Sequence, residues 1–137
     1  MSEALYTATV TSTGGGRDGR VTGDFESDIR PPRELGGSGE GANPETLFAA
    51  AWAACFNGAL QKIMKDSGVS VDDHQPSVTA SVTLNKVSDG FRLSGDIKVS
   101  FAGGSFDGDS ELVAKAHEFC PYSRAVRGDF DASASLA

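Results

Sequence analysis

The segment from Asn43 to Ser67 limits what this chain can fold into more than any other. Its middle reads Leu47-Phe48-Ala49-Ala50-Ala51-Trp52-Ala53-Ala54-Cys55-Phe56, apolar almost all round. A helix of that kind needs protein on most of its sides. Asn43 can cap the first turn, Pro44 suits the first helical position and Glu45 complements the positive end of the helix dipole, so the spacing predicts a helix start there. Gly68 supplies a stop after about Ser67. The predicted product is one central helix that the remaining segments have to cover.

Those segments are mostly strands. Leu5 to Thr11, rich in Thr, Val and Tyr, predicts a strand closed by the turn at Gly14-Gly15-Gly16. Arg17-Asp18-Gly19-Arg20 sits on or just beyond that turn. A second strand is expected over Val21 to Phe25 and a third through Ile29, until Pro31-Pro32 forbids further pairing. Arg33 to Asn43, with four glycines, reads as a loop able to shape a rim. After Pro76 the even positions Val78, Ala80, Val82 and Leu84 alternate with polar residues. Beyond Ser88-Asp89-Gly90 the odd positions Phe91, Leu93, Ile97, Val99 and Phe101 do the same, which predicts a hairpin with one wet face. A helix from about Ser110 to Phe119 follows, capped by Asp109 or Ser110. Pro121 resets the backbone, placing Cys120 at a helix break and starting a short helix that runs through Val126. A last strand is expected to carry Phe130, Ala132, Ala134 and Leu136 on one face. The order of strands, helix, hairpin, helix and strand predicts an α+β fold rather than a doubly wound sheet. At 137 residues the expectation is a single domain, 1–137, with no repeat and no linker.

Composition removes several classes of function. The chain is 39% hydrophobic and 23% charged, ordinary for a globular protein, and no apolar run is long enough to span a bilayer. Met1-Ser2-Glu3-Ala4-Leu5-Tyr6 has neither the basic nor the apolar region of a secretory signal, so a cytoplasmic location is expected. A net charge of −7 repels phosphate backbones, which argues against nucleic acid as a partner.

Two cysteines in a reducing compartment are free thiols or a transient redox pair rather than a permanent staple. Cys55, inside an apolar helix, has small buried hydrophobe as its default role. Cys120 differs, because it precedes a proline at a helix N-terminus, where the dipole favours a thiolate. His117 lies three residues before Cys120, yet no CxxC and no second histidine cluster accompanies it, so no metal site is expected. His74 reads as a loop residue. Phe48, Trp52 and Phe56 stand at helical spacing, which fits core or dimer packing and also the wall of an apolar channel. Tyr122 divides between site wall and ordinary packing.

Six short motifs in order carry a family resemblance: Leu5-Tyr6-Thr7-Ala8-Thr9, Gly16-Arg17-Asp18-Gly19-Arg20, Pro32-Arg33-Glu34-Leu35-Gly36-Gly37, Asn43-Pro44-Glu45 with Leu47-Phe48-Ala49-Ala50, Ala53-Ala54-Cys55-Phe56 and Cys120-Pro121-Tyr122-Ser123. Together they resemble the organic hydroperoxide resistance proteins, a branch of the OsmC superfamily. The resemblance implies an antiparallel sheet wrapped on a central helix, in an intertwined homodimer with sites at the subunit interface. It implies a thiol peroxidase acting on bulky organic hydroperoxides, including those of fatty acids, and recycled by lipoyl-bearing proteins; no metal, flavin or haem is expected. Carried over by position, Cys55 is the attacking cysteine, Cys120 the disulfide-forming partner, Arg17 the activating arginine and Glu45 the carboxylate that holds it. Arg20 is the nearby decoy. Phe48, Trp52 and Tyr122 are the candidate substrate contacts.

Elementary chemistry agrees with that implication. A free thiol of pKa ~8.5 is only a few per cent ionised at neutral pH, and a guanidinium beside it favours the anion while donating hydrogen bonds to peroxide oxygens. Closing a disulfide needs the two Cα atoms within about 7 Å. Glu45 and Cys55 are ten positions apart, so an unbroken helix separates them by about 15 Å along its axis. The Glu45 beside Cys55 is therefore expected from a partner subunit whose central helix packs antiparallel, with Arg17 able to cross over as well. The rival from another class is a noncatalytic module whose apolar cavity holds a lipid or other hydrophobic ligand.

Overall fold

The computed structural model describes residues 2–137. The chain forms two compact units, one ending at Leu47 and one starting at Phe48. Three helices and two antiparallel sheets make the fold α+β, as expected.

The first unit holds a three-stranded sheet in the order β1 (Val10–Gly14), β2 (Gly19–Gly23), β3 (Ser27–Ile29). Residues 15–18 turn between β1 and β2, closed by the Gly15 N–H donating to the Asp18 carbonyl at 3.0 Å. Gly19 has no room for a side chain, since a Cβ there would collide with the Thr13 carbonyl oxygen. Arg17 is thereby placed on the tip of the hairpin. Ile29 is buried and bridges Ala42 in parallel, tying down the loop that leads to the helix. That loop contains a single 3-10 turn at Arg33–Leu35.

Two strand expectations fail here. The first strand covers Val10–Gly14 rather than Leu5 to Thr11. Its partner β2 ends at Gly23, whose φ of 126° turns the chain away, and only the Thr9–Asp24 hydrogen bonds lie beyond. Leu5 and Tyr6 are 88% and 80% exposed. Phe25 falls outside β2 for the same reason.

The long helix α1 (Pro44–Asp66) starts as its sequence demands. The Asn43 Oδ1 accepts from the Thr46 N–H at 2.8 Å, satisfying one of the donors that a helix start leaves free. The other end is closed by Gly68 at φ 73°. There Gly68 donates to the Lys65 carbonyl and Val69 to that of Met64, the paired capping bonds that a left-handed glycine permits.

The second unit packs a core of Trp52, Phe56, Ala59, Leu60, Met64, Leu112, Ala116 and Cys120. The hairpin of β4 (Pro76–Val87) and β5 (Gly90–Phe101) lays its apolar face on that core. Val78 faces Val99, Ala80 faces Ile97 and Leu84 faces Leu93, so the two alternating runs share one side as expected. Gly95 interrupts the row, and a Cβ there would stand 2.8 Å from the Trp52 ring. The glycine makes space for the indole.

Helix α2 (Asp109–Phe119) begins on Gly108 in the left-handed region, not on an Asp109 or Ser110 cap. The Asp109 carboxylate faces back to the preceding loop, accepting from Ser105 Oγ and the Phe106 N–H, and these bonds hold it below the ordinary carboxylate range. Helix α3 (Pro121–Val126) follows at once. The expected last strand is absent: residues 129–137 carry no strand, and Phe130 and Leu136 are 70% and 99% exposed. A strand requires a ladder partner, and none of the described strands pairs with this tail. Among the described residues, no helix is long and apolar enough to cross a membrane.

Candidate functional site

Cys55 and Cys120 are 65 positions apart in sequence, and their sulfurs are 3.7 Å apart. Both are free thiols, Cys120 fully buried and Cys55 partly so. The break between α2 and α3 achieves this. Cys120 leaves the helical region (φ −62°, ψ 123°) and serves as the end of α2 and the start of α3. Its N–H donates to the Ala116 carbonyl at 2.8 Å, and its own carbonyl accepts from the Arg124 N–H. Pro121 fits the first position of α3 because no hydrogen bond is asked of its nitrogen.

Burial pushes the Cys55 thiol above its ordinary pKa, since a thiolate loses hydration there. The Tyr122 backbone N–H, bonded to the sulfur, pulls the other way, and the neighbouring Cys120 adds to the rise. The Tyr122 side chain is 43% exposed, so it is the backbone of this residue that reaches the sulfur.

One turn away, the Trp52 Nε1 donates to Ser123 Oγ at 3.0 Å, with both residues buried. This bond was not foreseen from sequence. Trp52 precedes Cys55 by three residues and Ser123 follows Cys120 by three, so the spacings match. Spacing alone gives no sign of which residues face each other until α1 and α3 are brought together.

Arg17 and Glu45 form the second cluster. Arg17 Nη1 and Nη2 donate to the two Glu45 carboxylate oxygens at 2.8 and 3.3 Å, the two-pronged geometry a planar guanidinium favours. The Glu45 side chain is only 14% exposed, whereas that of Arg17 is 50% exposed. Hydrogen bonding to Glu45 raises the Arg17 pKa further, keeping it charged. Arg20 is engaged elsewhere, with Asp28 at 2.8 Å and Glu26 at 3.5 Å.

Phe48 and Trp52 meet edge to face at 6.3 Å and line a cleft of about 220 Å³ with Val82, Leu93, Gly95 and Val126. Trp52 is nonetheless mostly core, at 5% exposure, and Phe56 is wholly core. His74 stacks on Phe106 at 4.1 Å, and the His117 carbonyl accepts from Arg127. No metal-binding cluster of His, Cys, Asp or Glu occurs among the described residues.

Comparison with known proteins places the chain in a family. The family model described as OsmC-like protein matches residues 37–133. The organic hydroperoxide resistance protein of Xanthomonas axonopodis pv. citri is 40% identical over 139 residues, covering 98% of this chain and 96% of that one. The organic hydroperoxide resistance protein-like 2 of Staphylococcus epidermidis is 39% identical, covering 96% and 94%. Among solved structures, an organic hydroperoxide resistance protein from Legionella pneumophila superposes with a TM-score of 0.82 at 41% identity, covering 93% of each chain. The OhrB protein of Bacillus subtilis gives 0.78 at 39% identity, covering 92% and 94%. With two thiols in contact and close relatives along nearly its whole length, the chain belongs to the OsmC-like family, beside members named for resistance to organic hydroperoxides.

Proposed function

We propose that the protein is a thiol peroxidase that reduces organic hydroperoxides, with Cys55 attacking and Cys120 closing a disulfide. The observation that carries this reading is the 3.7 Å contact between the two sulfurs, in a chain whose relatives are named for that resistance. The Cys55 thiolate attacks the terminal peroxide oxygen, the O–O bond breaks, and with one proton the alcohol departs, leaving a sulfenic acid. The Cys120 thiol then displaces that hydroxyl as water, and the sulfurs close to the ~2.05 Å of a disulfide. An external dithiol, on this reading the dihydrolipoyl group of a partner protein, returns two electrons by thiol–disulfide exchange. The sulfurs carry the electrons themselves, with no metal, flavin or haem.

The first step needs a thiolate, and burial alone opposes one. A guanidinium supplies the missing charge and can donate to the peroxide oxygens. Arg17 is assigned that role and Glu45 the role of holding it. Because α1 runs unbroken past both Glu45 and Cys55, the helix rise sets them about 15 Å apart along its axis. The site is accordingly assigned to a homodimer, Arg17 and Glu45 crossing together from one subunit to the thiols of the other. Their hydrogen bonds make them one unit. Leu5, Tyr6, Phe130 and Leu136, all exposed in the single chain, supply apolar surface for such an assembly. The cleft beside Phe48 and Trp52 suits the alkyl portion of the substrate.

The test is direct. Adding tert-butyl or linoleic hydroperoxide to reduced protein should consume both thiols and yield an intramolecular disulfide, and Cys55→Ser should stop peroxide loss. Inert thiols under that treatment would leave a noncatalytic binding module as the better reading.

A further inference from the structure

We propose that Ser123 is a positioning residue that sets how fast Cys120 closes on Cys55. This rests on the reading of the two cysteines as a reacting pair. Helices α1 and α3 meet at two rungs, Cys55 with Cys120 at 3.7 Å and Trp52 with Ser123 at 3.0 Å. The rungs are three residues apart in both segments, and the chain directions oppose: 52 to 55 along α1 matches 123 in the first turn of α3 back to 120 at its N-cap. Residues three apart share one face of a helix. The two contacts therefore sit side by side on a single seam, and what fixes one rung fixes the register of the other.

Cys55 lies in the middle of α1, where its backbone is locked in the helical ladder. Any backbone adjustment that helps the sulfurs close therefore falls to Cys120, at the extended break before α3. Ser123 governs that movement. Its hydroxyl is fully buried and accepts from an indole N–H that is itself buried. An indole donor in such a place requires a partner. Trp52 is fixed in turn from the sheet side, where Gly95 leaves its ring no slack: a Cβ at that position would stand 2.8 Å from the ring carbon Cζ3 and 2.8 Å from the Ser81 carbonyl oxygen. The indole is clamped between β5 and α3, and through Ser123 it holds the first turn of α3, with Cys120 at its head.

In chemical terms the attack on the peroxide uses Cys55 alone, whereas the second step uses the geometry of both helices. That second step joins the Cys55 sulfenic acid and the Cys120 thiol, forming the S–S bond and releasing water. Loss of the Ser123 hydroxyl should leave the first step intact and slow the second. The sulfenic acid then survives long enough to meet another hydroperoxide and go on to sulfinic acid.

The experiment compares wild type, Ser123→Ala and Gly95→Ala. Reduced protein is treated with diamide, which takes up two electrons and two protons from a thiol pair, and separately with tert-butyl hydroperoxide. Disulfide closure is followed by quenched mass spectrometry. With diamide, Ser123→Ala should close about tenfold or more slowly, the scale expected when reacting groups are misplaced by a fraction of an ångström to an ångström. With hydroperoxide, it should lose the first equivalent of peroxide within twofold of the wild-type rate while accumulating several times more sulfinic acid at Cys55. Gly95→Ala, which crowds the indole and the Ser81 carbonyl oxygen without removing a hydrogen-bonding group, should shift closure in the same direction and gives a second reading if Ser123→Ala does not fold. Wild-type closure rates in both variants would overturn the proposal. Failure of the wild type to react with hydroperoxide while diamide still oxidises the pair would strike at the peroxidase reading instead, leaving the diamide rates to decide the role of Ser123.

Discussion

Arg17 and Glu45 grip each other through two hydrogen bonds, 2.8 and 3.3 Å long, across 28 positions of sequence. One partner comes from the tip of a hairpin and the other from the first turn of α1, so the guanidinium is held by the fold itself. Glu45→Gln preserves size and weakens the grip. Its hydroperoxide turnover is expected to fall on the order of 10²-fold, the scale of a mis-set reacting group. Arg17→Lys should not restore function, because a lysine cannot offer the planar two-pronged donor. Steady-state peroxide consumption checks both, and a Glu45→Gln protein with wild-type turnover would remove Glu45 from the mechanism.

Subunit crossing is tested by mixing. Neither Cys55→Ser nor Arg17→Ala is expected to be active alone. In a heterodimer of the two, one site joins an intact Arg17 to an intact Cys55 if the residues meet across subunits. Statistical exchange makes half of the dimers mixed, so activity should return to roughly a quarter of wild type. If all four residues act within one chain, mixing restores nothing.

The pH profile of Cys55 follows from what acts on its sulfur. Burial raises its pKa first, the Tyr122 N–H lowers it and Cys120 raises it again, so without a cation the neutral thiol is favoured up to a pH above the ordinary ~8.5. In Arg17→Ala, iodoacetamide should alkylate Cys55 slowly at neutral pH and faster as pH rises past that value. The wild type should keep its rate to lower pH. Peptide mapping of the alkylated residue gives the two profiles, and coincident midpoints would show that Arg17 does not ionise the thiol.

The core and the helix start make separate stability predictions. Phe56 is 1% exposed, and Phe56→Ala is expected to cost about 3–5 kcal/mol through lost burial and a residual cavity. Asn43→Ala removes the cap on Thr46 and should cost ~1 kcal/mol. Urea denaturation of the protein at fixed concentration measures both, and equal losses would mean the core is not centred on Phe56.

Legibility in the sequence followed the range of the interactions. The cap at Asn43, the stop at Gly68, the break at Cys120-Pro121 and the alternation of the β4–β5 hairpin depend on neighbours a few residues away, and each is where the pattern put it. The segment Leu5–Thr9 and the tail from Phe130 to Leu136 have strand-like composition, but a strand exists only against a ladder partner, and within this chain they meet none. Gly108 took the start of α2 because a left-handed glycine could turn the loop there, leaving Asp109 to tie the loop down. At the site, the motifs singled out Cys55, Cys120, Arg17 and Glu45, and the fold brings the cysteines together and the ion pair together. Ser123 stood in a motif without a role and Gly95 in none, because their importance lies in what they hold in place or leave room for, and that is fixed by Trp52, far away in the chain.

Trp52 is the sole tryptophan of the sequence, buried, hydrogen-bonded to Ser123 and one turn from Cys55. The protein thus contains its own optical label. Any event that loosens the seam changes the polarity around one chromophore, so ultraviolet-excited emission can follow the proposed redox cycle in real time with no dye attached.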